Sequence, residues 1–279
     1  MSYVLCCVDG KNYSQSACDY AVMISNNMNL PLKFLNIIEH SSKVEKLNLS
    51  GNIKLGEKDD LLQEYTNEEA TKSQCAIKTG KELLNTLKQK ALQTCKNEVT
   101  ISQIHGDVIE TILDFEKEVS ILVIGIKSHE EHIIGENVKD IIRAIHKPVL
   151  LVNSEFVEPK KLLIAYNGSN ESKKLLNETS KKPIFKNIKR DIVNINEDKT
   201  LSFKLLNEAK EIFAKQNIEV DTSVLSGEPK EAIYNYFEQN SCDILAMGAF
   251  GHSRLKEFIF GSFTSEMLGK IKKPILLFR

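Results

Sequence analysis

Short apolar runs recur along the chain with almost no polar alternation inside them. In the first half they are Val4-Leu5-Cys6-Cys7-Val8, Ile121-Leu122-Val123-Ile124 and Val149-Leu150-Leu151-Val152. In the second they are Leu162-Leu163-Ile164-Ala165-Tyr166, Ile244-Leu245-Ala246-Met247 and Ile275-Leu276-Leu277-Phe278. A strand covered on one face alternates apolar with polar residues, and one covered on both does not, so these runs predict a parallel sheet flanked by helices. Between them the period lengthens: Leu201 to Gln216 carries Leu205, Leu206, Ala209, Ile212 and Phe213 at helical spacing, and Leu83 to Leu92 does likewise with Leu84, Leu87 and Ala91.

The two halves repeat one another. Val4 to Gly10 corresponds to Leu162 to Gly168, each an apolar run ending in a polar residue and glycine. Ile104 to Ile112 corresponds to Leu225 to Ile233, where a strand stops at Gly106 or Gly227 and a helix opens on an acid. An acid in the first turn favours the helix dipole, and Pro229 sits where a missing N–H costs nothing. Ile121 to Gly125 matches Ile244 to Gly248, and Lys147-Pro148 with its strand matches Lys273-Pro274 with its own. The prediction is therefore an α/β protein of two tandem, doubly wound, Rossmann-like domains, each a mostly parallel five-stranded sheet flanked by helices. Residues 1–153 and 160–279 bound the domains, with a polar linker from Asn153 to Lys160. Residues 41–66 have no counterpart in the second half and read as an extended loop or short hairpin, an inert surface insertion.

Composition narrows the function. The chain has 279 residues, 42% hydrophobic and 27% charged, with a formal charge of -1. No broad field draws in nucleic acid or anionic membrane. No stretch approaches the roughly 20 apolar residues of a membrane span, and the amino terminus has no basic leader before its apolar run, so a cytoplasmic protein is expected. The six cysteines, at 6, 7, 18, 75, 95 and 242, contain no C-x-x-C pair. Cys6 and Cys7 should face opposite sides of one strand. His129 and His132 are three apart, not the four of zinc helices, and no metal site is expected. Neither G-x-x-x-x-G-K-[ST] nor G-x-S-x-G occurs.

One loop carries candidate chemistry. From Gly248 to Ser262 the sequence follows G-x2-G-x9-G-S. Gly248 and Gly251 can adopt positive φ and lack a Cβ, which lets main-chain N–H groups face an anion. Gly261-Ser262 stands where the next helix begins, so its unpaired N–H groups and positive dipole end would meet a phosphate, with Ser262 and Thr264 hydroxyls as further donors. Asn167 and this loop both follow strand ends, where ligands of open α/β sheets bind. Turn and helix-start requirements explain the same glycines without a ligand.

With these motifs in place, the chain resembles a tandem member of the universal stress protein family, most specifically over Asp243 to Phe278 and again at Gly227-Glu228-Pro229 with Ile233. The resemblance implies five-stranded parallel domains, a regulatory stress role, ATP or AMP as ligand with Mg admissible beside it, and dimerisation through the last strand. By position it puts nucleoside contact on Asn167 with Ala165 and Tyr166, a main-chain adenine contact on Ile195, and phosphate and ribose contacts on Met247, Gly248, Gly251, His252, Gly261, Ser262, Phe263 and Thr264. Asn167 replaces the usual Asp, losing the charge-assisted part of a ribose hydrogen bond but keeping an acceptor. No catalytic residue is implied.

The first half has the reverse defect. Asp9 is present, but the second glycine is replaced by Ser128, Gly125 to Gly135 spans 10 positions where Gly248 to Gly261 spans 13, and Glu136 stands in the place of Ser262. A carboxylate in a phosphate nest repels, so this half is expected to bind no nucleotide. The halves are expected to pair through Val149–Val152 and Ile275–Phe278, with association of two chains left open. Three readings stay open at this level: a nucleotide-binding regulator, a slow ATPase or nucleotide-transfer enzyme, and a nucleotide-free interaction module.

Overall fold

The computed structural model describes residues 2–11, 13–39, 55–126, 136–249 and 262–279, with only the backbone described for 55–70, 72, 136, 137 and 262. The first half runs β1 (Tyr3–Cys7), α1 (Ser14–Met28), β2 (Leu32–Ile38), α2 (Leu55–Ala91), β3 (Val99–His105), α3 (Val108–Phe115), β4 (Val119–Gly125), α4 (Glu136–Ala144) and β5 (Val149–Val152). The second runs β6 (Lys161–Ala165), α5 (Asn170–Lys181), β7 (Lys189–Ile195), α6 (Lys199–Ala214), β8 (Asp221–Leu225), α7 (Pro229–Gln239), β9 (Ile244–Gly248), α8 (Ser262–Lys270) and β10 (Ile275–Phe278). The strands lie in one sheet of order β3-β2-β1-β4-β5-β10-β9-β6-β7-β8. Each half is parallel throughout, and the only antiparallel pairing among the described strands is the expected one between the halves, with Leu276 opposite Leu150. Joining the last strands removes two sheet edges that would otherwise expose unpaired main-chain groups.

Helix starts obey the capping rules. Asp107 accepts the N–H groups of Ile109 and Glu110 to open α3, and Glu228 accepts those of Lys230 and Glu231 to open α7 with Pro229 in its first turn. The sheet is apolar on both faces: Val4, Cys6 and Val8 belong to the layer under α1, α2, α5 and α6, whereas Leu5, Leu122 and Leu245 belong to the layer under α3, α4, α7 and α8. Cys6 and Cys7 do face opposite layers.

The structure corrects one element. Residues 55–66, expected as part of an extended loop or hairpin, are the opening turns of α2, which also begins far before Leu83. Glu57, Lys58, Leu61, Leu62, Gln63 and Glu64 are strong helix formers, which favours the helix locally. Residues 41–54 lie outside the described residues.

The linker is docked. Tyr20 of α1 packs edge-on against Phe156 at 4.8 Å and donates its hydroxyl to the Val157 carbonyl at 3.1 Å. At its far end Asp243 accepts the N–H groups of Lys160 and Lys161 at 2.9 and 3.1 Å, tying the entry of β6 to the strand beside it.

Candidate functional site

In each half the strand order reverses beside the first strand, between β1 and β4 and between β6 and β9. The carboxyl ends of those pairs are the topological switch points where open sheets leave a crevice. Asn167 stands there, two residues past the end of β6. Its Oδ1 accepts the Ser169 N–H at 3.0 Å and the Ser172 hydroxyl at 2.9 Å, while Gly168 turns the chain at φ 78°. Asp9 does the same in the first half, accepting the Lys11 N–H at 2.9 Å and the Ser14 hydroxyl at 3.0 Å around Gly10 at φ 74°. Amide and carboxylate are interchangeable here because the turn needs only one sp² oxygen, and a glycine must follow because the left-handed region is costly for other residues.

A buried amide holds the strand end beneath each turn. Asn194 donates Nδ2 to the Tyr166 carbonyl at 2.7 Å and accepts the Ser202 hydroxyl of α6 at 2.6 Å. Asn36 donates to the Val8 carbonyl at 2.9 Å and accepts from Gln103 at 3.1 Å, which in turn reaches the Ile77 carbonyl of α2 at 3.1 Å. Gly80 makes room for this relay, since a Cβ there would lie 2.3 Å from Asn36 Oδ1. Sequence reading missed Ser172, Asn194 and Ser202. The signal was available: Asn36 and Asn194 are matched polar residues inside apolar strands of both halves, and a buried amide must be hydrogen-bonded.

The remaining expected site residues divide into three groups. Ala165 and Met247 are register partners across β6 and β9, so with Tyr166, Asn167 and Gly248 they meet at the switch point. Met247 is buried in the layer under α7 and α8 and Tyr166 in the opposite layer, which leaves their main chains for the crevice. Burial, and then Glu208, push the Tyr166 phenol well above its ordinary value. Ile195 ends β7, one strand further out, half-buried with Phe263 against the same apolar layer as Met247. Ser262 opens α8 with Thr264 buried in its first turn, and α8 is fastened to α7 by Lys230 and Glu266 at 2.7 Å. Gly251, His252, Gly261 and Arg254 lie outside the described residues, as do Ser128, His129, His132 and Gly135 of the first half.

Gly248 is corrected in its reason. It does not take positive φ; a Cβ there would fall 3.1 Å from both Glu171 Cβ and the Ser172 nitrogen. The glycine lets the end of β9 lie against the start of α5. Gly125 does so in the first half, 2.9 Å from the Tyr13 carbonyl group. Among the described residues, no group of three or more His, Cys, Asp or Glu side chains could hold a metal ion, and no helix is long and apolar enough to cross a membrane.

Comparison with known proteins gives a consistent picture. The model of the universal stress protein family matches residues 1–153 and 188–279. Universal stress protein Slr1230 of Synechocystis is 30% identical over 289 aligned positions that span all of both chains. Among solved structures, a universal stress protein from Archaeoglobus fulgidus superimposes with a TM-score of 0.72 at 18% identity, covering 99% of this chain and 96% of that one. The cytoplasmic domain of a prokaryotic cation chloride cotransporter superimposes with a TM-score of 0.57 at 10% identity, covering 99% and 94%. The architecture thus serves unlike proteins, and function has to be argued from the site.

Proposed function

The chain belongs to the universal stress protein family, and from that membership we propose that it is a regulatory stress-response protein holding one ATP or AMP at the switch point of its second half. What supports this reading is that two helices, one on each face of the sheet, open after the adjacent strands β6 and β9 whose carboxyl ends form the switch point. The Asn167-Gly168 turn opens α5 beside β6, and Ser262 opens α8 after β9, the adjacent strand. Helix amino termini offer free N–H groups and a positive dipole end, which suit phosphate. Ala165, Tyr166, Asn167 and Ile195 would take the nucleoside; Met247, Gly248, Gly251, His252, Gly261, Ser262, Phe263 and Thr264 would take ribose and phosphates, with Mg as the accompanying ion where ATP is bound.

Binding without turnover fits the chemistry at this end. Asn167, Ser169 and Ser172 exchange hydrogen bonds and are not general bases, whereas hydrolysis requires a base held near an attacking water. The first half, residues 1–153, would serve the second, 160–279, as a paired scaffold. Titration calorimetry of the full chain with ATP and AMP tests the reading, with one site per chain and no phosphate release expected. Absence of heat with either nucleotide would overturn it, and steady phosphate release would favour the enzyme reading.

A further inference from the structure

Two thiols meet in the layer between β1 and α1. Cys6 of the strand and Cys18 of the helix are both buried in the same apolar layer, and the Cys6 thiol is hydrogen-bonded to that of Cys18. The internal repeat shows what packing alone asks for at this contact. In the register that sets Asp9 on Asn167 and Ser14 on Ser172, Cys6 falls on Ile164 and Cys18 on Leu176, both fully buried. A large aliphatic pair fills the second half, whereas the first half carries a small thiol on both sides. A free cysteine packs as a small hydrophobe, and what two of them in contact add is the capacity to become a disulfide.

Cys18 also has an approach from outside. It lines a hollow of about 110 Å³ between α1 and α2, whose rim carries Gln15, Asp19, Lys90, Gln93 and Thr94. Asp19 and Lys90 pair there at 3.5 Å, and both are partly exposed. The space is small for an organic ligand, for which roughly 300 Å³ is the lower range, but a water needs only about 10–15 Å³. A polar rim and that volume suit a solute little larger than water. Cys18 thus stands between the hollow and Cys6. Burial, and then the bond to Cys18, hold the Cys6 thiol well above its ordinary value, which makes Cys6 the poorer first nucleophile. On the same helix Ser16 and Tyr20 hold Glu155 and the Val157 carbonyl of the linker, so the pair lies under the helix that docks the two halves together.

We propose that Cys18 and Cys6 form a peroxide-sensitive dithiol, with Cys18 oxidised first and Cys6 closing a disulfide onto it. The Cys18 thiolate attacks one oxygen of hydrogen peroxide, the O–O bond breaks, and the departing hydroxide takes up the Cys18 proton as water, leaving a sulfenic acid. Cys6 then displaces the sulfenic hydroxyl, which leaves as a second water with the Cys6 proton, and the S–S bond forms. Two electrons pass from the sulfurs to one peroxide. The device is independent of nucleotide binding in the second half.

The full chain, reduced and then freed of reductant, tests it. After exposure to hydrogen peroxide or to cumene hydroperoxide at neutral pH, the chain is unfolded in urea, its free thiols are alkylated and its peptides are mapped by mass. Hydrogen peroxide should join the peptides of Cys6 and Cys18, lighter by the two hydrogens lost, with fragmentation placing the bond at Cys6 and not at Cys7. Dithiothreitol should reverse it. Cumene hydroperoxide, too bulky for the hollow, should oxidise the exposed Cys75 while leaving the pair reduced. In Cys6→Ala, dimedone should tag Cys18 as a sulfenic acid, and in Cys18→Ala it should leave Cys6 untagged. The linked peptide in the parent chain is read without either variant. The inference is overturned if Cys6 and Cys18 stay free after hydrogen peroxide has consumed Cys75, if either bonds a different cysteine, if Cys6 takes dimedone without Cys18, or if cumene hydroperoxide links the pair as fast as hydrogen peroxide.

Discussion

Asn167 and Ser172 are joined by a 2.9 Å hydrogen bond that reproduces, with an amide, the bond Asp9 makes to Ser14. The turn therefore survives the loss of the carboxylate, and what the second half gives up is an outward-facing acceptor. Asn167→Asp should keep both turn bonds and make each charge-assisted, with an added oxygen for a ribose hydroxyl. ATP affinity should rise by about fivefold with little change in melting temperature. Asn167→Ala, which strands the Ser172 hydroxyl and the Ser169 N–H, should lose about 1–2 kcal/mol of stability in urea unfolding.

Glu136 and Ser262 occupy equivalent places, each opening a nine-residue helix, α4 and α8. Ser262→Glu copies the first half into the second. The acid should leave the ligand-free protein as stable or slightly more so, by about 0.3–1 kcal/mol from the helix dipole. ATP heat in calorimetry should vanish. Retained affinity would mean that phosphate lies elsewhere.

Much of this was legible in the chain because parallel strands buried on both faces write themselves as unbroken apolar runs, and because two halves repeat the same punctuation. Val149–Val152 and Ile275–Phe278 gave away the joint between halves. What escaped was of two kinds. The start of α2 at Leu55 escaped because Ser, Asn, Gly and Lys around scattered leucines read locally as a loop, with no clear helical period to override them. Gly248 was legible as a necessary glycine but not for its reason, since a close approach to helix α5 and a close approach to a ligand ask for the same residue.

Repeat positions also carry charge in opposite ways. In the second half Asp191, buried to 2% exposure, pairs with Lys161 at 2.7 Å and accepts the Tyr236 hydroxyl at 2.9 Å. The equivalent positions of the first half hold Lys33, Tyr3 and Phe115, with the Lys33 ammonium 4.7 and 5.0 Å from the two ring centres. One half buries an ion pair and the other shelters a cation between aromatic faces. Asp191→Lys alone sets two ammonium groups together and should cost about 3–5 kcal/mol in urea unfolding. Adding Lys161→Tyr and Tyr236→Phe rebuilds the first-half arrangement and should restore more than half of that loss, a coupling that independent sites would not produce.

Alkaline pH should destabilise the fold in two steps. Burial pushes the Cys7 thiol from 9.0 to about 12, and burial followed by the Asp191 charge pushes Cys242 from 9.0 to about 11. Burial, then Glu118, raises the Tyr3 phenol from 10.0 to about 12, and burial chiefly raises Tyr20, Tyr166 and Tyr236 as well. Below pH 9 these groups are protonated in both states and contribute no slope. Above it the unfolded chain releases protons that the native chain retains, so the unfolded state binds fewer protons and stability falls as pH rises. Each withheld proton contributes a slope of about 1.4 kcal/mol per pH unit, thiols first and phenols from about pH 10. Urea midpoints measured from pH 7 to 11 should decline from about pH 9, and replacing Cys6, Cys7 and Cys242 together by Ala should delay the decline toward the phenol range, because burial holds the Cys6 thiol up as well. A midpoint that stays level to about pH 10.5 in the parent chain would contradict the burial of these thiols, and with it the packing of β1 and of the entry to β9 against their neighbours.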